Sequence, residues 1–219
     1  MALSAPPPAE RRSRGRRTPR VSGADRERAI LQTAERLLSE RSLHEISVDD
    51  LARGAGISRP TFYFYFASKE AVLLTLLDGL VEEARQGVAL AMLASDPPRV
   101  LRQGLQAIHE TFLEHRSVTL AVVAARAGSV EVRELWARVM ETFVQETSAA
   151  IESERARGAA PPGVPARDLA IALNWMNERV LHASFEGYGP AIGQATILDT
   201  LVEVWLRSIY GTTTPVPLD

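Results

Sequence analysis

Ser58-Arg59-Pro60-Thr61 runs directly into five consecutive aromatic side chains, Phe62-Tyr63-Phe64-Tyr65-Phe66, in a chain of 219 residues with only thirteen aromatics. The hydroxyls, phenols and guanidinium of this stretch suit phosphate oxygens, and a Phe ring can press on a thymine methyl group. Six Arg, at positions 11, 12, 14, 16, 17 and 20, precede it within residues 1–20, against one acid, Glu10. This is chemistry for a polyanion. Catalysis has less to build on. The four His (44, 109, 115 and 182) are scattered without metal-ligand spacing, and no Cys is present to join them. No nucleophile elbow, phosphate loop or dinucleotide fingerprint occurs. No catalytic residue, metal or cofactor is expected.

Helices must carry these groups. Ser47 with Asp50 three residues later opens one over "SVDDLARGAG", and Gly54 and Gly56 end it. "GIS" is a very short connection between two helices. Ser58 then caps the next helix, with Pro60 tolerated in a first turn where the missing amide would be unpaired. Ser68 caps a further long helix. Helix, short Gly-containing turn, helix is the helix-turn-helix pattern. Phe62 and Phe66 lie at i and i+4 on one face and can pack on Leu51, Ala55 and Ile57. Tyr63, Phe64 and Tyr65 are left without a shared buried face. They could lie on the long helix that follows or on DNA; Phe62 and Phe66 fit the first role, Tyr63 and Tyr65 the second. The N-terminus of the helix adds its own attraction for phosphate.

Nearly everything after Gly23 has helical period. Ile30, Ala34, Leu37 and Leu38 form one stripe, and further helices are expected near 98–115, 117–127, 129–157, 166–186 and 194–210. "GAAPPGVP" and "GYGPAIG" interrupt them. No stretch alternates with period two for long enough to make a strand. The fold class is all-α with about nine helices. The divisions are a disordered basic arm (1–22), a three-helix helix-turn-helix domain (23–67), a helical domain (68–211) and a tail (212–219). Net charge is −2, but residues 71–219 hold twelve bases against eighteen acids, so positive charge is concentrated in the arm. The arm is either a DNA-binding segment or a solubilising tail. The absence of Cys fits a reducing cytosol, and the longest apolar run, "VTLAVVAA", is too short to cross a membrane. A soluble cytoplasmic protein with no membrane partner is expected.

In the second half, Trp136, Met140, Phe143 and Thr147 make one stripe of a long helix. Asn174 and Asn177 share a face with Ala170 and Leu181 amid apolar neighbours. Two buried amides need partners. They are either a satisfied core pair or the polar points of an otherwise apolar ligand cavity. The last two helices are apolar on more than one side, through Leu169, Leu173 and Val180, then Ile197, Leu198, Leu201, Val204 and Trp205. Either both are central in a monomer, or a two-fold four-helix interface with a second copy covers the extra sides.

"ISVDDLARGAGISRPTFYFYFASKEAVLL" resembles the DNA-binding segment of the tetracycline-repressor (TetR) family. "SVEVRELW", "ERARGAAP", "ALNWMNER" and "SIYG" extend the resemblance to one repressor of that family over most of the chain. It implies an N-terminal DNA-binding domain followed by an all-α ligand-binding and dimerisation domain. Phosphate contacts carry over to Thr61, Tyr63, Tyr65 and Lys69, and base-edge contacts to Arg59, Pro60 and Phe64. Ser47 and Ser58 at the helix starts, and Arg16 and Arg17 in the arm, complete the expected DNA set. The similar repressor has an elongated, mainly aromatic channel, which implies ligand contacts at Phe112, Trp136, Met140, Thr147, Asn174, Asn177 and Trp205. Leu101, Ile108 and Phe143 stand where that relative has bulkier aromatics, implying a wider, more aliphatic channel. The expectation is a homodimer, joined through its last two helices, that represses from a palindromic double-stranded operator and is released by an apolar small molecule. The alternative is a helical protein-interaction or lipophilic-carrier module with vestigial DNA binding.

Overall fold

The computed structural model describes residues 22–91 and 96–215, which form nine α-helices and one 3-10 turn and, among the described residues, no strand. The basic arm, with Arg16 and Arg17, lies outside the described residues. α1 (Gly23–Glu40) starts on Ser22, whose side chain accepts from the Asp25 amide while the Asp25 carboxylate accepts from the Ser22 amide. After the 3-10 turn Leu43–Glu45 come α2 (Val48–Gly54) and α3 (Arg59–Tyr65). Ser47 and Ser58 are their N-caps, and Pro60 sits in the first turn of α3 as its lack of an amide allows.

The turn between α2 and α3 depends on two glycines for different reasons. Gly56 has φ of 67°, which an L side chain would strain. A Cβ on Gly54 would fall 2.3 Å from Thr33 Cγ2, so its bare backbone lets α2 lie close on α1. Ile30, Ala34, Leu37, Ile46, Leu51, Phe62 and Phe66 then fill a small core of their own, with Ala55 and Ile57 packed at its edge. Phe62 is fully buried, as the i, i+4 spacing from Phe66 requires.

α4 (Lys69–Ala91) serves two cores. Its Val72 closes the small one, whereas Leu73, Leu77, Leu80 and Ala84 enter the large one. The division expected at residues 67 and 68 therefore falls at the head of a helix that both units use. α5 (Pro97–Glu114) packs along α4, α6 (Arg116–Arg126) against α1 and α4, α7 (Val130–Ala156) on α8 (Ala166–Glu186), and α9 (Ile197–Tyr210) on α5. The expected start of α9 at residue 194 is three residues early. The Gly193 carbonyl accepts the amides of Thr196 and Ile197, so residues 194–196 form a turn that feeds the helix.

Candidate DNA-contact surface and inner cavity

α3 displays its rings as helical geometry dictates. Phe62 and Phe66 point inward, and Phe64, 82% exposed, stands furthest from the protein. Tyr63 is about half exposed, and Tyr65 is half buried against the small core, edge-on to Phe64. At the head of the helix the Ser58 hydroxyl accepts from the Thr61 amide at 3.3 Å and shares a hydrogen bond with the Thr61 hydroxyl at 2.7 Å. Ser47 is likewise bound to Asp50. Both serines hold helix starts in place, and their hydroxyls are already engaged.

Arg59 Nη1 donates to Asp49 Oδ2 at 3.1 Å, and Nη2 to the Tyr63 hydroxyl at 3.4 Å. Pro60 is exposed beside it. The start of α1 reaches the same surface: a Cβ on Gly23 would lie 3.7 Å from the Tyr65 hydroxyl oxygen. The chain thus enters α1 next to the far end of α3.

Lys69, expected at a phosphate, is engaged within the protein. Its ammonium donates to the carbonyls of Leu43 at 2.7 Å, His44 at 3.2 Å and Ile46 at 2.9 Å. All three of its protons are used. The residue ties the 3-10 turn to the head of α4.

The second site lies inside the large core. A cavity of about 60 Å³ is lined by seven of the ten expected ligand positions: Ile108, Phe112, Trp136, Met140, Phe143, Asn174 and Asn177. Thr147 and Trp205 sit behind this wall. Asn174 Nδ2 donates to Thr147 Oγ1 at 3.1 Å and to the Ala170 carbonyl at 2.9 Å, and Trp205 Nε1 donates to Asn177 Oδ1 at 2.9 Å. Leu101 packs against the large core and does not line the cavity. Among the described residues the cavity is narrower than the wider, aliphatic channel expected. About 60 Å³ accommodates a few water molecules, far from the roughly 300–1,000 Å³ of a small-molecule site. Aromatic rings from α5, α7 and α8 line it: Phe112, Trp136, Phe143 and Phe185.

Thr119 and Val123 of α6, and Glu178, Leu181, His182 and Phe185 of α8, also line the cavity and were not expected there. Leu181 and Phe185 continue the Asn174–Asn177 stripe at helical spacing, a signal the sequence does contain. α6 offers no comparable signal. Trp136 Nε1 is buried without a partner among the described residues, beneath the Arg126 guanidinium 5.2 Å from its ring. Arg126 in turn pairs with Glu178 at 2.9 Å.

A polar tie runs from the cavity wall to α1 and α4. The Thr119 hydroxyl donates to the Phe112 and His115 carbonyls, and Arg116 Nε to the Phe185 carbonyl. At this α5–α6 junction His115 Nδ1 bonds Glu35 of α1, and Nε2 faces Glu83 of α4 at 3.7 Å. Burial pulls the imidazole toward neutrality, but the Glu35 hydrogen bond and the charges of Glu35, Glu83 and Glu114 outweigh it and raise its pKa.

A larger concavity, about 1290 Å³, lies between the end of α1, the start of α4 and α6. It is an open groove of mixed charge and includes none of the expected ligand residues. Among the described residues no helix is long and apolar enough to cross a membrane, and no group of three or more His, Asp or Glu could hold a metal.

Known protein families match the spans that hold both regions. Residues 30–76 match the family described as bacterial regulatory proteins, tetR family, and residues 101–211 match the C-terminal domain of transcriptional regulator EthR. The chain is 58% identical over 203 residues to the HTH-type transcriptional regulator EthR of Mycobacterium tuberculosis strain H37Rv, covering 90% of this chain and 93% of that one. It is 48% identical over 204 residues to EthR of Mycolicibacterium smegmatis, covering 92% and 94%. Among solved structures, a TetR-like transcriptional regulator from Rhodococcus sp. RHA1 superposes with a TM-score of 0.62 at 25% identity, covering 88% of this chain and all of that one.

Proposed function

The chain belongs to the tetR family of bacterial regulatory proteins, with an EthR-type C-terminal domain, and we propose that it is a dimeric, ligand-responsive transcriptional repressor. The observation that carries this reading is the display of α3: a helix pinned by Phe62 and Phe66 that holds Phe64 out to solvent. An exposed Phe on a short, fixed helix gains nothing for folding and fits a base edge in the major groove. Thr61, Tyr63 and Tyr65 serve the phosphates, and Arg59 and Pro60 stand beside Phe64 at the bases. Thr61→Ala should weaken binding alike on DNA from upstream of the protein's own gene and on random duplex, because phosphate contacts position without specifying. Phe64→Ala should cost roughly 1–3 kcal/mol, nearly all of it on the cognate fragment, in fluorescence-anisotropy titrations. Equal losses on both duplexes would remove Phe64 from the base readers.

A second copy supplies the second half-site. Trp175 on α8 is 44% exposed, Val204 on α9 is also exposed, and Leu169, Val180 and Leu198 are half buried. These are the apolar sides that a monomer leaves over, and a two-fold pairing of α8 and α9 would cover them.

The effector enters the cavity between α5, α6, α7 and α8. An apolar molecule with a hydrogen-bond acceptor must push the rings apart to fit, and Phe112, Thr119 and Phe185 are all tied to the α5–α6 junction that holds Glu35 of α1. The effector acts by binding the spread arrangement better than the closed one, since equal affinity would shift nothing. The 58% identity to a transcriptional regulator over 90% of the chain weighs against the carrier alternative.

Asn177 tests the cavity. Asn177→Leu leaves the Trp205 indole N–H buried without its acceptor, at a cost of about 1–3 kcal/mol. The variant should therefore melt several degrees lower yet remain folded and dimeric. Apolar amides and esters that raise the melting temperature of the wild type should lose that effect on the variant, along with their release of DNA. If no compound in the panel stabilises the wild type, the two asparagines are a core pair and nothing more.

A further inference from the structure

We infer that Asp49 sets sequence specificity by holding Arg59 for a base edge, an inference that rests on the DNA-binding reading of α3. A carboxylate on this surface is otherwise a liability, because it repels the phosphates that Thr61 and Tyr63 attract. To the fold it offers only an acid in the first turn of α2, which suits the helix dipole. The cap of α2 is the reciprocal pair of Ser47 and Asp50, which is complete without Asp49. An ion pair this exposed, with both side chains about half accessible, adds little to stability.

What the pair does is fix a guanidinium. Three contacts converge on Arg59: the Asp49 carboxylate at 3.1 Å on Nη1, the Tyr63 hydroxyl at 3.4 Å on Nη2, and the Tyr63 ring, whose centroid lies 5.8 Å from the guanidinium carbon. They come from two helices, so the plane of the group is defined relative to both. Three of its five N–H donors stay unused among the described residues. A guanidinium presented in a set plane is the partner that guanine O6 and N7 take most often. A loose Arg at the same place would swing to the nearest phosphate and read nothing. Holding it in advance also reduces the rotamer freedom lost on binding. Asp49 touches no base in this scheme and is a positioning residue that acts through Arg59.

The test is selection from a random 30-base-pair duplex library with the full-length wild type, Asp49→Asn, Arg59→Ala and the double variant. Anisotropy titrations follow on the duplex that the wild type selects and on a scrambled one. The wild type should return a symmetric motif. Asp49→Asn should keep its spacing and lose base preference at one position per half-site, the same position that Arg59→Ala loses. Discrimination between the selected and scrambled duplexes should fall about 10-fold or more. In the Arg59→Ala background the Asp49 change should alter discrimination by less than about 2-fold, which a double-variant cycle reads directly. An unchanged motif for Asp49→Asn overturns the inference. So does an equal effect in both backgrounds, since that would be simple removal of a negative charge. A wild type that returns no motif at all overturns the DNA-reading function itself, and this inference falls with it.

Discussion

Lys69→Met is expected to destabilise the DNA-binding unit by about 2–4 kcal/mol while leaving the salt dependence of DNA binding almost unchanged. The ammonium is half buried and donates to three carbonyls of residues 43, 44 and 46. Hydrogen bonds to a charged group contribute about 1.5–3 kcal/mol each, and three on one donor are not additive. Met keeps the length of the stem and removes only the donors. A cation at the first position of a helix is on the wrong end of the helix dipole, so some specific partner has to favour it there. The carbonyls of the 3-10 turn are that partner. Their release would free the turn that sets α2 against α4, and with it the angle of the recognition helix. Urea unfolding gives the stability, and anisotropy at several salt concentrations gives the slope for the fraction still folded. A phosphate-binding Lys69 would do the reverse. Loss of two such contacts per dimer would flatten the slope by roughly 2 units at little cost in stability.

The contacts of this lysine could not be read from the sequence for a physical reason. Its partners are backbone carbonyls more than twenty residues earlier, and a backbone carbonyl has no side-chain signature. The elements whose partners are local were legible. Ser47 with Asp50, Ser58 with Pro60, and Ser68, whose hydroxyl accepts the Ala71 amide, each begin a helix as their spacing predicts. The inward pair Phe62 and Phe66 follows from 3.6-residue periodicity alone. The cavity was half legible. A stripe tells which residues face a neighbour, so Trp136, Met140, Phe143, Asn174 and Asn177 could be placed together. Its volume could not be read, because volume depends on how the rings from three helices settle against each other. Thr147 and Trp205 show the same limit: their hydrogen bonds put them behind the amides rather than beside a ligand.

Deleting residues 1–20 is expected to flatten the plot of log K against log salt by roughly 2–5 units per dimer. The folded remainder has little charge to give to DNA. Residues 21–70 hold seven bases against eight acids, residues 71–219 hold twelve against eighteen, and the arm holds six Arg against one Glu. Two of the bases near α3 are already engaged, Arg59 with Asp49 and Lys69 with carbonyls. Phenols and hydroxyls can orient the helix on phosphates, but a neutral donor releases no counterion. The chain enters α1 where Gly23 lies against Tyr65, at the DNA-contact surface. The open groove at the other end of α1 is about 27 Å away along an 18-residue helix. Each phosphate neutralised contributes about −0.9 to the slope, and two partly engaged arms account for the stated range. In practice the wild type should lose about 4- to 30-fold more affinity than the truncated protein for each doubling of salt. Cognate preference should survive the deletion, except at A·T-rich positions flanking each half-site, where an Arg in the minor groove would be felt. Anisotropy titrations of both proteins over a salt series on cognate and random duplexes measure all of this. Parallel lines would make the arm a solvated tail, and the acidic body of the protein would then need another source of affinity for a polyanion.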